Sequence, residues 1–132
     1  GFYAALRADL RAHAEKAFAL LAPDDDGNSY REILEGLIER THDPKRLAAL
    51  EAELDLPQLP RAAWHVWRTY FRLRRRKGSG GFGVMPIEWP DIDAFARRAR
   101  ARLDPFDLEM IEMIDDVFLA EMMKHEKQRR DK

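Results

Sequence analysis

Apolar residues recur at spacings of three and four along almost the whole chain, and four start signals cut that pattern into separate helices. Ser29-Tyr30-Arg31-Glu32 is a capping box: the Ser hydroxyl accepts the Glu32 amide, and the Glu32 carboxylate reaches back. Asp43-Pro44 and Asp104-Pro105 each set an N-cap before the residue best tolerated in a first helical turn, and Trp89-Pro90 opens another helix. No run alternates apolar and polar residues long enough to make a strand. The pattern therefore predicts an all-α fold, a compact bundle of about five to six helices with a Gly-rich loop before the last two.

Taken in order, Leu6, Leu10, Ala14, Ala17, Phe18 and Leu21 form the inward face of a first helix from Phe2 to about Leu21. Pro23-Asp24-Asp25-Asp26-Gly27-Asn28 ends it. Read as a calcium loop, that segment would need its first ligand at Ala22 and its bidentate Glu at Ile33, so a solvated turn is expected instead. Ile33, Leu34, Leu37 and Ile38 face one way on the second helix, and Leu47, Leu50 and Leu54 on the third. Those two are expected to form a hairpin against the first. From Arg61 to Lys77, Trp64, Trp67, Tyr70 or Phe71, and Leu73 or Arg74 fall at helical spacing, and at least two of the three tryptophans are expected in the core. Ile92, Phe95, Ala96, Ala99 and Leu103 then mark an inward face, and the last helix carries Leu108, Ile111, Ile114, Val117 or Phe118, and Met122. Residues 1–60, 61–125 and 126–132 are expected to be an N-terminal helical part, a C-terminal helical part and a polar tail of one globular domain. Fraying is expected from Lys124 onward.

The chain is close to neutral, yet its charge is sorted along its length. Residues 1–60 carry 7 Lys/Arg against 12 Asp/Glu, residues 61–102 carry 11 against 3, and residues 103–132 carry 5 against 9. Arg97, Arg98, Arg100 and Arg102 are expected to pair with acids of the last helix across the Asp104-Pro105 turn, at ~0–1 kcal/mol per exposed pair. The same basic face, with Arg72 to Lys77, is expected to steer an acidic partner.

Chemistry-bearing patterns are missing. The chain has no cysteine, which fits a reducing cytoplasm and leaves neither a disulfide framework nor a thiolate site. His13, His42, His65 and His125 are scattered, without the spacing of a metal pair. Asp115 and Asp116 are adjacent and point to different helix faces, so they do not converge as an acid/base pair. Gly78-Ser79-Gly80-Gly81-Phe82-Gly83 matches G-x-G-x-x-G by letters. An Arg-rich helix precedes it where a nucleotide fold needs a strand, so a mobile linker is expected. No enzyme, cofactor or metal is expected. No run reaches the ~18 apolar residues of a membrane span, and the start at Gly1-Phe2-Tyr3 carries no signal pattern. A start at Gly1 in place of Met carries the expectation that the native N-terminus was cut or trimmed.

Between Ala63 and Ala120 the residues resemble a known family. They include Trp64-x2-Trp67 before the Gly-rich loop, then Pro86-Ile87-x-Trp89-x2-Ile92-x-Ala94-Phe95-Ala96-Arg97. Leu103-x-Pro105-Phe106-Asp107 and Ile114-Asp115-Asp116-Val117-Phe118-Leu119 follow. The stretch resembles the small tail assembly chaperones of long-tailed phages and prophages. That family has Glu at Asp107, Leu-Asp-x-Ala-Tyr-Leu near Ile114 to Leu119, and a Gly-Ile near Ala101-Arg102 that this chain lacks. The resemblance implies a non-catalytic protein of the host cytoplasm, absent from the mature virion, that binds the tape-measure protein and assists tail-tube assembly. Its candidate partner-binding residues are Trp64, Trp67, Trp89, Phe106, Met110, Met113, Arg97 and Arg98, with oligomeric state left open. Two other classes compete. One is a nucleic-acid-binding helical module resting on Arg72–Lys77 and Arg97–Arg102, which the slightly acidic whole chain disfavours. The other is a structural head–tail or tail component of the virion.

Overall fold

Local capping chemistry sets the helix starts. The Ser29 hydroxyl accepts the Glu32 amide at 3.2 Å and the Glu32 carboxylate accepts the Ser29 amide at 3.3 Å, which opens α2 (Tyr30–Arg40). Asp43 caps α3 (Pro44–Leu54) through the Lys45 amide at 3.3 Å. Asp104 and Asp107 exchange the same reciprocal bonds, at 2.8 and 3.1 Å, to open α6 (Pro105–Arg130). The remaining helices are α1 (Phe2–Leu21), α4 (Trp64–Arg76), entered through a 3-10 turn at Arg61–Ala63, and α5 (Trp89–Ala99). The N-cap of α5 is Glu88, in a capping box with Asp91. The structure, a computed structural model, describes residues 1–80 and 83–131.

The fold is all-α, with one small exception. Inside the Gly-rich break, β1 (Ser79–Gly80) and β2 (Gly83–Val84) pair antiparallel, Ser79 opposite Val84 and Gly80 opposite Gly83. Two residues per strand are too few to show a period of two, so the sequence pattern misses the pairing. Gly83 sits at φ 105°, which L side chains rarely adopt. Gly81 and Phe82, part of the loop expected to be mobile, lie outside the described residues.

Two apolar clusters hold the helices. The larger joins Leu6, Leu10, Ala14 and Phe18 of α1 to Val66, Tyr70 and Leu73 of α4, Ile92 of α5, and Met110, Ile111, Met113, Ile114 and Val117 of α6. The smaller joins Leu20, Leu34 and Leu50, so α2 and α3 form the expected hairpin on the end of α1. This lobe explains one departure: Leu20 is buried and Leu21 is exposed, because α2 and α3 approach α1 from the Leu20 side.

The tryptophans depart further. Trp64 is 45% and Trp89 61% exposed, and only Trp67 is packed against the core. The buried residues of α4 are Val66, Tyr70 and Leu73, so the expected stripe holds at Tyr70 and Leu73, and Val66 rather than Trp64 completes it. Ala99 is exposed as well. Beyond Lys124, α6 stays helical to Arg130, its last turns rich in the cations that complement a helix C-terminus. The pairing expected across the Asp104-Pro105 turn is not formed. Arg97 bonds Asp93 of its own helix at 3.2 Å, and among the described residues none of Arg97, Arg98, Arg100 and Arg102 reaches an α6 carboxylate. Here α5 leans on α4 rather than lying along α6.

Candidate partner-binding surfaces

Met85-Pro86-Ile87 crosses from β2 to α5 as a strap outside any helix or strand, and the proline disfavours helical backbone at Met85. One buried carboxylate pins it. The Ile87 amide donates to Asp115 Oδ2 at 2.9 Å, the Tyr70 hydroxyl donates to Asp115 Oδ1 at 2.8 Å, and the Arg74 guanidinium bonds the same oxygen. Arg74 also donates to the Met85 carbonyl at 2.8 Å and lies 4.6 Å over the Phe118 ring. Burial pushes the Tyr70 phenol well above its ordinary range and the Asp115 carboxylate adds to the rise, while Arg74 opposes it. The phenol therefore stays protonated and serves as a donor. A second tie lies at the surface, where the Lys77 ammonium sits 2.9 Å from both Glu88 and Asp91 and joins the end of α4 to the start of α5.

Held this way, the strap forms one wall of an open groove of about 570 Å³ along the C-terminal half of α6. Val84 and Pro86 face Leu119, Ala120, Met122 and Met123 across an apolar floor; Lys124, Lys127, Arg130 and Glu126 make the rim. Val84 is 37% and Met123 68% exposed, so apolar surface stands uncovered beside a cationic edge. This shape and composition can take the apolar face of an amphipathic helix.

The sequence-predicted contact residues are dispersed. Met110 and Met113 lie in the core, and Met110 also lines a cavity of about 180 Å³ with Phe106, which packs 4.7 Å from the Tyr3 ring. Trp67 is half-buried, edge-on to His13 at 4.9 Å and stacked on Phe18 at 5.6 Å. Trp64 donates its ring N–H to the Leu59 carbonyl at 3.2 Å, and Trp89, Arg97 and Arg98 stand exposed. None of the eight lines the groove. The groove residues and the Asp115 hub are not among the eight, although one sequence signal for the hub was present. Asp115 follows Ile111 by four residues on an apolar arc, where an unpaired carboxylate would be costly, so a buried cation partner was implied.

A family profile described as phage tail assembly chaperone matches residues 39–120, 82 of the 132 residues. No curated protein and no solved structure matches the chain.

Proposed function

The chain belongs to the phage tail assembly chaperone family, and on that premise we propose that it holds an apolar-faced helix of the tape-measure protein in the groove between the strap and α6, and so assists assembly of the tail tube around it. The observation that carries this reading is the uncovered apolar floor of Val84, Pro86, Leu119, Met122 and Met123. A long helical partner aggregates through its own apolar face. Seating that face on a preformed surface removes it from water without ordering a new segment of the chaperone. The protein acts by binding alone, works in the host cytoplasm during morphogenesis, and is left out of the finished particle. Among the described residues, no helix is long and apolar enough to cross a membrane.

Co-expression with the tape-measure protein of the same phage tests the reading. The wild type is expected to keep that protein in the soluble fraction, and Met123→Glu and Val84→Asp to lose it while retaining the wild-type circular dichroism and melting temperature. Equal recovery with both variants overturns the groove assignment. Detection of the chain in purified particles by mass spectrometry would instead make it a structural tail component.

A further inference from the structure

A second surface, separate from the groove, lies on the outer side of α4. Trp64, Arg68, Arg72, Arg75 and Arg76 fall within about 120° of arc at 100° per residue, and Arg61, from the preceding turn, lies 5.2 Å over the Trp64 ring. All six are exposed. Among the described residues none of these five arginines makes an ion pair, although the chain carries 24 carboxylate side chains. The neighbouring cations are spoken for: Arg74 of α4 by Asp115, and Lys77 just beyond the helix by Glu88 and Asp91. At the far end Arg72 stacks 5.1 Å over Phe95, and Arg72, Arg75, Arg76 and Phe95 enclose an open hollow. Helix propensity and core packing require none of this, since the buried residues of α4 lie on the opposite side.

We propose that this arginine and tryptophan stripe is a docking site for an acidic helical segment of a protein partner. Carboxylates four and three residues apart on such a helix rise at the same intervals as Arg68, Arg72 and Arg75, so fork-shaped guanidinium contacts can form in register. Trp64 and Phe95 supply flat apolar contacts at the two ends. Charge balance favours a protein segment over nucleic acid. The whole chain is net −1, whereas a strongly basic domain is the usual footprint of nucleic-acid binding.

The test uses the full chain and three fluorescein-labelled probes, with binding read by anisotropy across a salt series. The first probe is a 20-residue helical peptide with Glu at repeated spacings of four and three. The second carries Lys at those positions, and the third is a 20-nucleotide single-stranded DNA. The Glu peptide is expected to bind, with affinity falling as salt rises, and the Lys peptide not to bind. Arg68→Glu/Arg72→Glu/Arg75→Glu is expected to lower that affinity by about tenfold or more with an unchanged melting temperature. The corresponding triple Lys variant, which keeps charge but loses the fork, is expected to fall between. Recovery of the tape-measure protein by the triple Glu variant should be unchanged, which separates this site from the groove. Failure of the Glu peptide to bind, or equal binding by the triple Glu variant, overturns the proposal. Tighter binding of the DNA than of the Glu peptide overturns it in favour of a nucleic-acid site.

Discussion

Replacing Asp115 by alanine removes at one stroke the acceptor for the Tyr70 hydroxyl, the Arg74 guanidinium and the Ile87 amide. The Asp115 and Arg74 side chains are 6% and 10% exposed, so Arg74 would be left as a buried cation without a counter-charge. Breaking such a pair from one side costs about 3–5 kcal/mol, a large fraction of the roughly 5–15 kcal/mol that stabilises a small domain. Asp115→Asn keeps the size and one acceptor oxygen but loses the charge, and is expected to cost about 2 kcal/mol. The informative variant is the double one. Asp115→Leu with Arg74→Met removes both charges, and an apolar pair of similar volume is often no worse than the ion pair. It is expected to be more stable than the sum of its single changes by about 2 kcal/mol. Urea unfolding followed by circular dichroism and tryptophan fluorescence gives all four corners of that cycle. A cost below ~1 kcal/mol for Asp115→Ala, or strict additivity in the cycle, would refute the claim that this carboxylate anchors the strap.

Arg100 ends α5 in the left-handed region at φ 53°, so Arg100→Gly is expected to stabilise the protein by about 0.5–1 kcal/mol, read as a raised urea midpoint at constant slope. Phe18→Ala is expected to cost about 3–5 kcal/mol because Phe18 is fully buried, and Trp89→Ala less than ~0.5 kcal/mol because its ring is mostly in water; thermal melts compare the two. Asp91 is held below its ordinary value of 3.8, first by the Glu88 backbone amide and then by the Lys77 ammonium. Its contribution to stability is therefore full above that value and lost as pH falls through the lowered one. Lys77 is raised above 10.5 by Asp91 and Glu88, so its contribution is full below 10.5 and lost as pH rises past the raised value. Carboxyl NMR titration is expected to show Asp91 moving up toward its ordinary value in Lys77→Met.

The helices were legible because their starts are local. Ser29, Asp43 and Asp104 each bond an amide two or three residues ahead, and nothing distant has to be known to see it. The inward face of α4 was legible only in part. It depends on what α1 and α6 present: Tyr70 and Leu73 are buried at expected positions, whereas Val66 is buried and Trp64 is exposed. The groove was hidden for a related reason. It is assembled from Val84 and Pro86 on one side and from Leu119 to Met123 on the other, segments distant in sequence that the Asp115 hub helps to bring together. The Met-rich character of α6 was visible, but which methionines face out was not: Met110 and Met113 are interior and Met123 is 68% exposed. The resemblance to a Gly-containing family pattern near Ala101-Arg102 has a local counterpart, since Arg100 adopts the conformation in which glycine is preferred.

The amide of Ile87 lies outside every helix and strand, yet its proton is held by a buried carboxylate. Loop amides ordinarily trade hydrogen for deuterium as fast as solvent reaches them, so this one would stand as a slow site directly after a proline, which has no amide proton to exchange. Its exchange requires the strap to lift from α6, and the free energy obtained from its rate is that of lifting alone, provided it falls below the global unfolding value. A single resolved resonance would thus report how often the wall of the groove opens, in the free protein and with no partner present.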